Sequence, residues 1–149
     1  MQQRPYDLSG AFSVTICTLH RQNILGDIQG ATVQHSEIGN IVASEWEAIP
    51  LRFPNITLDE YVVMPNHLHG ILHNSPQSAL PSLGTVIGAY KSLKVRNISQ
   101  RVGQDGCKIW QRNYYEQIIR SKTMLENIRH YIRENPSNWP DDPENTPLL

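Results

Sequence analysis

Two histidines separated by one residue are the first feature of this sequence that could support chemistry. His67 and His69 lie in the segment VVMPNHLHG at positions 62–70. Side chains alternate between the two faces of a β-strand, so both imidazoles would point the same way while Leu68 points into the core. Two imidazoles at this spacing can hold one divalent metal ion between them. The short pattern also fits two half-exposed strand histidines that bind nothing.

A metal ion held by two histidines needs a third protein ligand and an open position for water or a phosphate oxygen. The sequence contains no C-x-x-C and no H-E-x-x-H pattern, which argues against a structural zinc site and a zinc protease. His73 would share the face of His69, but on a regular strand it lies about 13 Å further along the chain. Unless the backbone bends, that distance is too long for one shared ion.

A second pair of residues, Tyr131 and Asn135, is spaced to share one face of a helix near the C-terminus. The amide oxygen of Asn135 suits a hard cation such as Mg²⁺ or Mn²⁺. Tyr131 would then place its hydroxyl beside the same ion, and a tyrosine can act as a covalent nucleophile on a phosphate that the metal polarises. A tyrosine in the core and an asparagine at the end of a helix are the alternative interpretation.

Basic residues are concentrated in one part of the chain, although the formal net charge is only −1. Residues 91–133 carry ten Lys or Arg against three Asp or Glu, whereas residues 134–149 carry four acids and no base. One side of a nearly neutral protein can therefore be strongly basic, which is what binding to a phosphate backbone requires. A solvated helix face would give the same counts, so charge alone leaves both interpretations open.

The bulk properties indicate a single soluble domain. A chain of 149 residues with 39% hydrophobic and 18% charged residues is long enough to build one core. No apolar stretch approaches the roughly 20 residues that cross a bilayer, and the N-terminus shows no apolar signal segment. Cys17 and Cys107 form no C-x-x-C pattern and are expected to be reduced. We therefore expect one cytoplasmic domain over residues 1–149, with an ordered core at about 10–140 and an acidic, proline-rich tail at 140–149.

The elements that must position these residues follow from periodicity and from capping signals. Alternating or β-branched apolar residues indicate strands, and apolar residues at helical spacing after a serine cap indicate helices. The order β-α-β-β-α-β-α is that of an α+β protein with a ferredoxin-like split βαβ fold. Its antiparallel sheet would have helices on one face, with one C-terminal helix added. The predicted strands cover residues 11–19, 56–64, 67–73 and 109–120, with a short strand or hairpin arm at 30–33 after a loop. The predicted helices cover residues 36–49, 82–102 and 123–134, and Pro50 is expected to stop the first of them.

Five segments together resemble the single-tyrosine transposases that carry an HUH motif. The chain from about residue 10 to residue 140 is similar to the branch known as REP-associated tyrosine transposases, and the combination of segments is more specific than any one of them. The segments are FSVTICT at 12–18, VMPNHLHG at 63–70, GAYKS at 88–92, IWQRNYYE at 109–116 followed by IR at 119–120, and IRHYIRENP at 128–136.

The resemblance implies a reaction and assigns residues to it. In such enzymes the two histidines of the motif bind a divalent metal ion, which implies His67 and His69 as ligands and Asn135 as the third ligand. Tyr131 would attack a phosphodiester, form a 5′-phosphotyrosine and leave a free 3′-OH. The implied substrate is single-stranded DNA near a small hairpin, and the implied cofactor is Mg²⁺ or Mn²⁺. No ATP is needed, because the phosphotyrosine conserves the energy of the broken linkage.

Other residues are candidates for supporting the site or contacting DNA. Tyr114 and Tyr115 form a tempting pair for the nucleophile, but Tyr131 lies just before Asn-Pro, where the nucleophile of the family lies. Glu116 is a candidate hydrogen-bond partner for a ligand histidine. The further candidates are Lys91, Lys94, Arg96, Trp110, Arg112, Tyr115 and Arg120, with Arg129 and Arg133 as additional phosphate contacts.

The same resemblance leaves the biological role and the assembly open. Besides an enzyme that nicks and rejoins DNA, it allows a domesticated protein that binds DNA hairpins without moving them. It also allows a replication-initiation nuclease, although such proteins tend to be longer. Related transposases can act as dimers in which the tyrosine helix of one subunit completes the site of the other, so a homodimer and both cis and trans placements of Tyr131 are possible. No membrane association is expected, and a DNA substrate implies location at the nucleoid.

Overall fold

An antiparallel sheet of four strands carries the rest of the molecule. The computed structural model describes residues 10–75, 82–102 and 109–139, and within 93–102 only the course of the helical backbone, so Cys107 and the predicted tail lie outside the described residues. No helix of these ranges is long and apolar enough to cross a membrane. The elements in chain order are β1 (Ala11–Cys17), a 3₁₀ turn (Leu19–Arg21), β2 (Gly26–Gln29), β3 (Thr32–His35), α1 (Glu37–Glu47), α2 (Ile49–Arg52), β4 (Ile56–Met64), β5 (His67–Asn74), α3 (Leu83–Val102), β6 (Tyr115–Ile118) and α4 (Lys122–Glu134).

The main sheet has the strand order β4-β5-β1-β6, and every neighbouring pair in it is antiparallel. The connection from β1 to β4 carries α1 and passes over β5, and the connection from β5 to β6 carries α3 and passes over β1. Two such interleaved crossovers define the ferredoxin-like split βαβ fold. The predicted α+β architecture is therefore confirmed, including the added C-terminal helix α4.

A small hairpin formed by β2 and β3 precedes α1 and is only partly predicted by the sequence. The sequence indicates a loop up to residue 28 and one short arm at 30–33, whereas two strands of four residues pair around a turn at Gly30. Gly30 has a φ of +67°, a left-handed conformation that glycine adopts without steric cost. A glycine in a two-residue turn is therefore the signal that marks this hairpin.

The strand predicted at 109–120 is interrupted. Within residues 109–120, only β6 pairs with β1 as a strand, and Trp110 makes an isolated bridge to Thr18. Between these two pairings, the ammonium group of Lys91 on α3 donates to two consecutive backbone carbonyls, at 2.8 and 3.0 Å. After the backbone N–H of Gln111 donates to the carbonyl of Cys17, the chain leaves the sheet edge and returns to it at β6, and Lys91 holds the backbone at the start of this excursion.

The predicted helix at 36–49 is divided into α1 and α2. Pro50 lies in the first turn of α2 and does not stop a helix, because a proline is tolerated where its missing N–H would have no helical partner. The serine caps agree with the sequence. Ser36 caps α1 and Ser121 caps α4, each accepting a hydrogen bond from the backbone N–H three residues later.

The two faces of the main sheet are covered by different helices. α1 and α3 lie on one face, named the apolar face here, and α4 lies on the other, named the histidine face. Neighbours along a strand point to opposite faces and paired residues point to the same face, so each strand contributes to both. The apolar face includes Val14, Ile16, Leu68 and Leu72, and the histidine face includes Ser13, Thr15, His67 and His69.

α4 is held on the histidine face by a small apolar cluster and by ion pairs at its edge. Leu125 and Ile132 of α4 are buried in one cluster with Ile71 of β5. Outside this cluster, the guanidinium group of Arg129 donates to both carboxylate oxygens of Asp59 on β4, at 2.9 and 2.6 Å. The amphipathic helix α4 is thus fixed to β4 and β5 of its own chain.

Candidate metal centre and nucleophile

His67 and His69 lie on β5 in the row of side chains that faces α4, and both imidazoles are almost completely buried. Leu68 between them is fully buried on the apolar face, as the alternation of strand side chains predicts. A Cβ atom on Gly70 would come within 2.7 Å of the ring of Trp46, which packs against the apolar face of the strand. Glycine is required there because the core fills the space that a side chain would occupy.

Each histidine ring has a polar neighbour that orients it. Nδ1 of His67 is 2.8 Å from Oδ1 of Asn66, an atom that only accepts, so Nδ1 carries the proton and Nε2 the lone pair. Nε2 of His69 is 2.9 Å from the hydroxyl oxygen of Ser13, which can donate or accept. Such partners fix the orientation of a ligand histidine, and a partner that only accepts, such as Asn66 Oδ1, also selects the tautomer. The geometry therefore suits metal binding through Nε2 of His67.

The C-terminal end of α4 and the turns that follow it cover the two rings. The ring centroid of Tyr131 is 5.7 Å from that of His69, and the ring centroid of Trp139 is 6.1 Å from that of His67. Asn135 lies four residues from each of these aromatic residues and is fully buried. Asn135 therefore lies along the chain midway between the two residues whose rings contact the histidines.

These side chains suit a divalent metal ion that must also bind a substrate. Two imidazole nitrogens and one amide oxygen are neutral ligands that leave coordination positions for water or phosphate oxygens. In residues 10–75, 82–102 and 109–139, no three His, Cys, Asp or Glu side chains are placed to hold a metal ion, so a third ligand from these ranges is of another type. His73 is engaged elsewhere, because its Nε2 is 2.8 Å from Oδ2 of Asp59.

Two tyrosines on the histidine face are exposed. Tyr131 is 43% exposed although its ring lies against His69, so solvent and substrate can reach it. Tyr115 is 59% exposed and lies in the same cross-strand row as His69, with Thr15 of β1 between them. At about 4.8 Å per strand, Tyr115 is about 10 Å from the histidine. Tyr131 is therefore the tyrosine that the fold places beside the histidine pair.

Two residues that the sequence suggests as supports of the site make structural contacts within the fold. Trp110 is buried near Tyr90, with ring centroids 6.3 Å apart, and offers almost no surface to DNA. Lys91 donates to the backbone carbonyls of Gln111 and Arg112, and its partial burial lowers the pKa of the ammonium group. Both residues hold the chain between α3 and β6 in place.

The remaining candidates lie on the surface or outside the described side chains. Arg112 and Arg120 are exposed, and Arg120 borders a groove beside β6. The carboxylate of Glu116 is 3.4 Å from the hydroxyl of Tyr114, and the hydrogen bonds to the histidines that we expected of Glu116 are made by Ser13 and Asn66. The side chains of Lys94 and Arg96 lie outside the described residues.

Two arginines that the sequence suggests as phosphate contacts are engaged with carboxylates. Arg129 is 2.6 Å from Asp59, and Arg133 is 3.2 Å from Glu60. Burial alone would raise the pKa of Asp59, but the hydrogen bonds from Arg129 and His73 outweigh it and hold the pKa well below its usual value. Both ion pairs link α4 to β4, so these arginines fix the helix that carries the tyrosine.

The sequence alone did not identify three residues that lie near the histidines, namely Ser13, Asn66 and Trp139. Asn66 directly precedes His67, and a polar residue beside a ligand histidine is a natural partner for its second ring nitrogen. Ser13 could have been found from β1, in which small polar residues alternate with apolar ones. Trp139 carries no such signal, because it lies beyond the last predicted helix.

Sequence comparisons give two matches for this arrangement. The sequence model of the family described as IS200-like transposases matches residues 31–135, which contain the histidine pair, Tyr131 and Asn135. A protein of Haemophilus influenzae described as uncharacterized is 34% identical over 154 residues, an alignment that covers 92% of this chain and 86% of that protein.

Two solved structures share the fold. A REP-associated tyrosine transposase bound to a REP hairpin matches with a TM-score of 0.64 and 18% identity, over 93% of this chain and 73% of that one. A protein from Deinococcus radiodurans R1, provisionally assigned as a transposase, matches with a TM-score of 0.59 and 20% identity, over 89% of this chain and 95% of that one. At these identities the likeness establishes the fold alone.

Proposed function

Because this chain belongs to the family of IS200-like transposases, we propose that it is a metal-dependent endonuclease and strand transferase acting on single-stranded DNA. The observation that carries this proposal is the contact between an exposed tyrosine and a buried histidine pair: Tyr131 lies against His69, and the side-chain oxygen of Asn66 holds Nδ1 of His67. The family inferred from the motifs is confirmed, and it supports DNA transposition as the process that uses this chemistry.

The proposed reaction begins when the hydroxyl oxygen of Tyr131 attacks the phosphorus of a phosphodiester. The bond from this oxygen to phosphorus forms and the bond from phosphorus to the 3′ oxygen breaks. The tyrosine gives up its proton, and the leaving 3′ oxygen takes one up. The products are a 5′-phosphotyrosine and a free 3′-OH. Attack by another 3′-OH on the phosphotyrosine reverses these steps and rejoins DNA, so no ATP is consumed.

His67, His69 and Asn135 would hold the divalent metal ion, Mg²⁺ or Mn²⁺, which when bound polarises the scissile phosphate and stabilises its charge. Ser13 and Asn66 keep the two imidazoles in one orientation. α4 covers the histidines and restricts water on that side, while the exposed tyrosine leaves the site open to a DNA strand.

Single-stranded DNA that bears a hairpin is the proposed substrate. The structural relative bound to a REP hairpin supports it, as does the concentration of Lys and Arg in residues 91–133. Arg112 and Arg120 are exposed and are the described side chains that we assign to phosphate contacts. A DNA substrate in turn implies action at the nucleoid in the cytoplasm.

In this proposal Tyr131 acts in cis, because α4 packs on β4 and β5 of the chain that also carries the histidines. A homodimer would then contain two independent sites. Mixing the Tyr131→Phe and His67→Ala proteins tests the assignment. No covalent adduct should form in the mixture when the tyrosine acts in cis, whereas a recovered adduct would mean that two chains share one site.

The central experiment looks for the covalent intermediate. The protein is incubated with Mn²⁺ and hairpin-bearing single-stranded oligonucleotides from its own genomic neighbourhood. The label is at the 3′ end, because the downstream segment stays on the tyrosine. A denaturing gel should show a labelled band at the mass of protein plus DNA. Tyr131→Phe should abolish this band and keep hairpin binding, whereas Tyr114→Phe and Tyr115→Phe should still form it.

The alternatives give different results in the same experiment. Tight hairpin binding without any adduct would identify a domesticated DNA-binding protein. An adduct that survives in Tyr131→Phe and disappears in Tyr115→Phe would move the nucleophile to β6. EDTA should abolish the adduct, and an adduct formed at full yield in EDTA would contradict the metal requirement.

A further inference from the structure

A cavity of about 880 Å³ opens between β6 and α4 on the histidine face, and His69 and Tyr131 form part of its wall. The cavity is therefore continuous with the proposed catalytic site. Its volume lies in the range of sites that enclose a small molecule or one part of a larger substrate. The reaction described above uses these two wall residues and Ser13, which orients His69, and leaves the rest of the cavity without a role.

The remaining wall is more apolar than polar and is nearly uncharged. Among the described residues that line the cavity, Glu116 is the only Asp, Glu, Lys or Arg. A phosphate group needs cations or several converging N–H donors, and no lysine or arginine is among the described residues that line the cavity. The chemistry of the cavity therefore does not match the backbone of DNA.

The wall does match a nucleobase, which needs apolar or aromatic surface on its faces and hydrogen-bonding groups at its edge. On β6, Tyr115 offers an exposed ring and Gln117 an amide group. On α4, Met124 and Ile128 offer apolar surface and Asn127 a second amide group. Each amide carries both an acceptor oxygen and a donor nitrogen, so β6 and α4 can form hydrogen bonds to a base from opposite sides.

The strand register and the helix spacing place these groups within one nucleotide of the nucleophile. Tyr115 is paired with Thr15, which is paired with His69, so Tyr115 lies two strands or about 10 Å from the histidine. Asn127 precedes Tyr131 by four residues and therefore shares its face of α4, one turn away. A nucleotide whose phosphate lies at Tyr131 has its base next to the cavity.

We propose that this cavity is a subsite for the unpaired base of a nucleotide adjoining the scissile phosphate. The base would leave the stack of the strand, pack against Tyr115 and present its edge to Gln117 and Asn127. Arg120 borders the groove that shares Gln117 and Met124 with the cavity, where it can meet the next backbone phosphate. The inference rests on the proposed function, and it explains why cleavage would require single-stranded DNA: a base paired in a stem cannot enter.

The test measures binding in the Tyr131→Phe background, so that no substrate is cleaved. The cleavage position is first mapped with the wild-type protein. Oligonucleotides with a single abasic residue on either side of that position are then compared with the intact strand. Removing the base should weaken binding about tenfold at one of the two positions, as expected for the loss of one base stacked on an aromatic side chain.

In a variant that lacks the side chain contacting the base, the same abasic change should weaken DNA binding by less than about twofold, because the effects of two changes in one contact are not additive. This result is expected for Tyr115→Ala and, separately, for the double variant Gln117→Ala with Asn127→Ala. Tyr115→Phe keeps the ring and should restore the tenfold sensitivity. The side chains involved lie at the surface, and thermal unfolding would verify that each variant is folded.

Asn40→Ala provides the matched control, because Asn40 is an exposed helical asparagine on α1. It should keep the full tenfold sensitivity. Equal sensitivity in Tyr115→Ala and in this control, or no sensitivity at either flanking position in any protein, would overturn the subsite while the covalent adduct still forms. Failure of the proposed function looks different, because the wild-type protein then forms no adduct with any oligonucleotide, and the subsite falls with it.

Discussion

The two faces of the main sheet come from the same strands and differ in what they contain. On the apolar face, Leu68 and Leu72 pack into a continuous core with Trp46 and with residues of α1 and α3. On the histidine face, the apolar contacts shrink to a small cluster that includes Ile71, and buried polar residues such as Ser13, His67 and His69 lie on the same face. A strand with a period of two therefore places the proposed metal ligands on a rigid backbone whose rigidity comes from the other side.

The histidine face tolerates buried polar groups because they have hydrogen-bond partners on the sheet itself. Ser13 and Asn66 supply these partners for the two imidazoles, and a buried polar group without a partner would be costly. The apolar face buries fewer polar atoms, among them the Tyr90 hydroxyl that donates to Val42, and contributes mainly through area removed from water. Substitutions on the two faces should therefore separate, one set lowering activity and the other lowering stability.

The largest effect on activity is expected for His67→Ala. Removing a metal ligand should weaken Mn²⁺ binding by more than about 100-fold, beyond the loss seen when only an outer partner of a ligand is removed. Adduct formation should fall with it, while the fold is kept. Calorimetric titration with Mn²⁺ and the denaturing gel measure the two quantities. His73→Ala is the matched control and should keep Mn²⁺ affinity, because its ring is engaged with Asp59; equal losses in both variants would exclude His67 as a ligand.

The next effect concerns stability and is expected for Leu68→Ala, one position further along the strand. Leu68 is fully buried, so the change should lower the free energy of unfolding by about 2–5 kcal/mol. The folded fraction should keep its Mn²⁺ affinity, because the space left by the shortened side chain lies on the apolar face, opposite the histidines. Urea denaturation gives the first quantity, with the exposed Leu51→Ala as a control of less than about 0.5 kcal/mol. A loss of Mn²⁺ affinity in fully folded Leu68→Ala would mean that the two faces are not separable.

The sequence reveals much of this division because alternation is a local property. The pattern of β5 assigns His67 and His69 to one face and Leu68 to the other without any knowledge of the partner strands. The helix caps Ser36 and Ser121 are equally local, since each accepts from a backbone N–H three residues away. These features could be predicted because they depend on neighbours along the chain.

Features that depend on distant parts of the chain were missed. Ser13 meets His69 across 56 residues of sequence, because the register of β1 and β5 brings them together. Lys91 of α3 binds the backbone carbonyls of Gln111 and Arg112, which lie 20 and 21 residues further along the chain. Glu116 was expected to orient a histidine, yet β6 places its carboxylate near Tyr114. Such pairings require tertiary contacts that periodicity does not contain.

A smaller effect than for the ligand itself is expected for Ser13→Ala. The hydroxyl orients His69, and removing such a partner weakens metal binding about 10- to 100-fold in comparable sites. The matched control is Ser44→Ala, which changes an exposed serine on α1 and should leave Mn²⁺ affinity within about twofold. Calorimetric titration of both variants with Mn²⁺ measures the two affinities. An unchanged affinity in Ser13→Ala would show that the hydrogen bond contributes only to the packing of the sheet.

The smallest effect concerns how α4 is attached to the histidine face and is expected for Asp59→Asn. The carboxylate of Asp59 accepts from Arg129 and His73, and these bonds hold its pKa well below the usual 3.8. A lowered pKa stabilises the folded state fully at pH values above the usual one, and this contribution is lost as the pH falls below it. At pH 7 the variant should be less stable by about 1–2 kcal/mol, and the difference should narrow as the pH falls below about 4.

Urea denaturation of wild type and Asp59→Asn between pH 7 and pH 2.5 measures this narrowing. Glu60→Gln is the matched control, because it removes the charge of the neighbouring, more exposed ion pair with Arg133 and should cost less than about 0.5 kcal/mol at any pH. A difference for Asp59→Asn that stays constant over the whole range would mean that shape, and not charge, holds the helix. A narrowing difference means that the helix carrying Tyr131 is bound to the sheet by a charge-dependent contact.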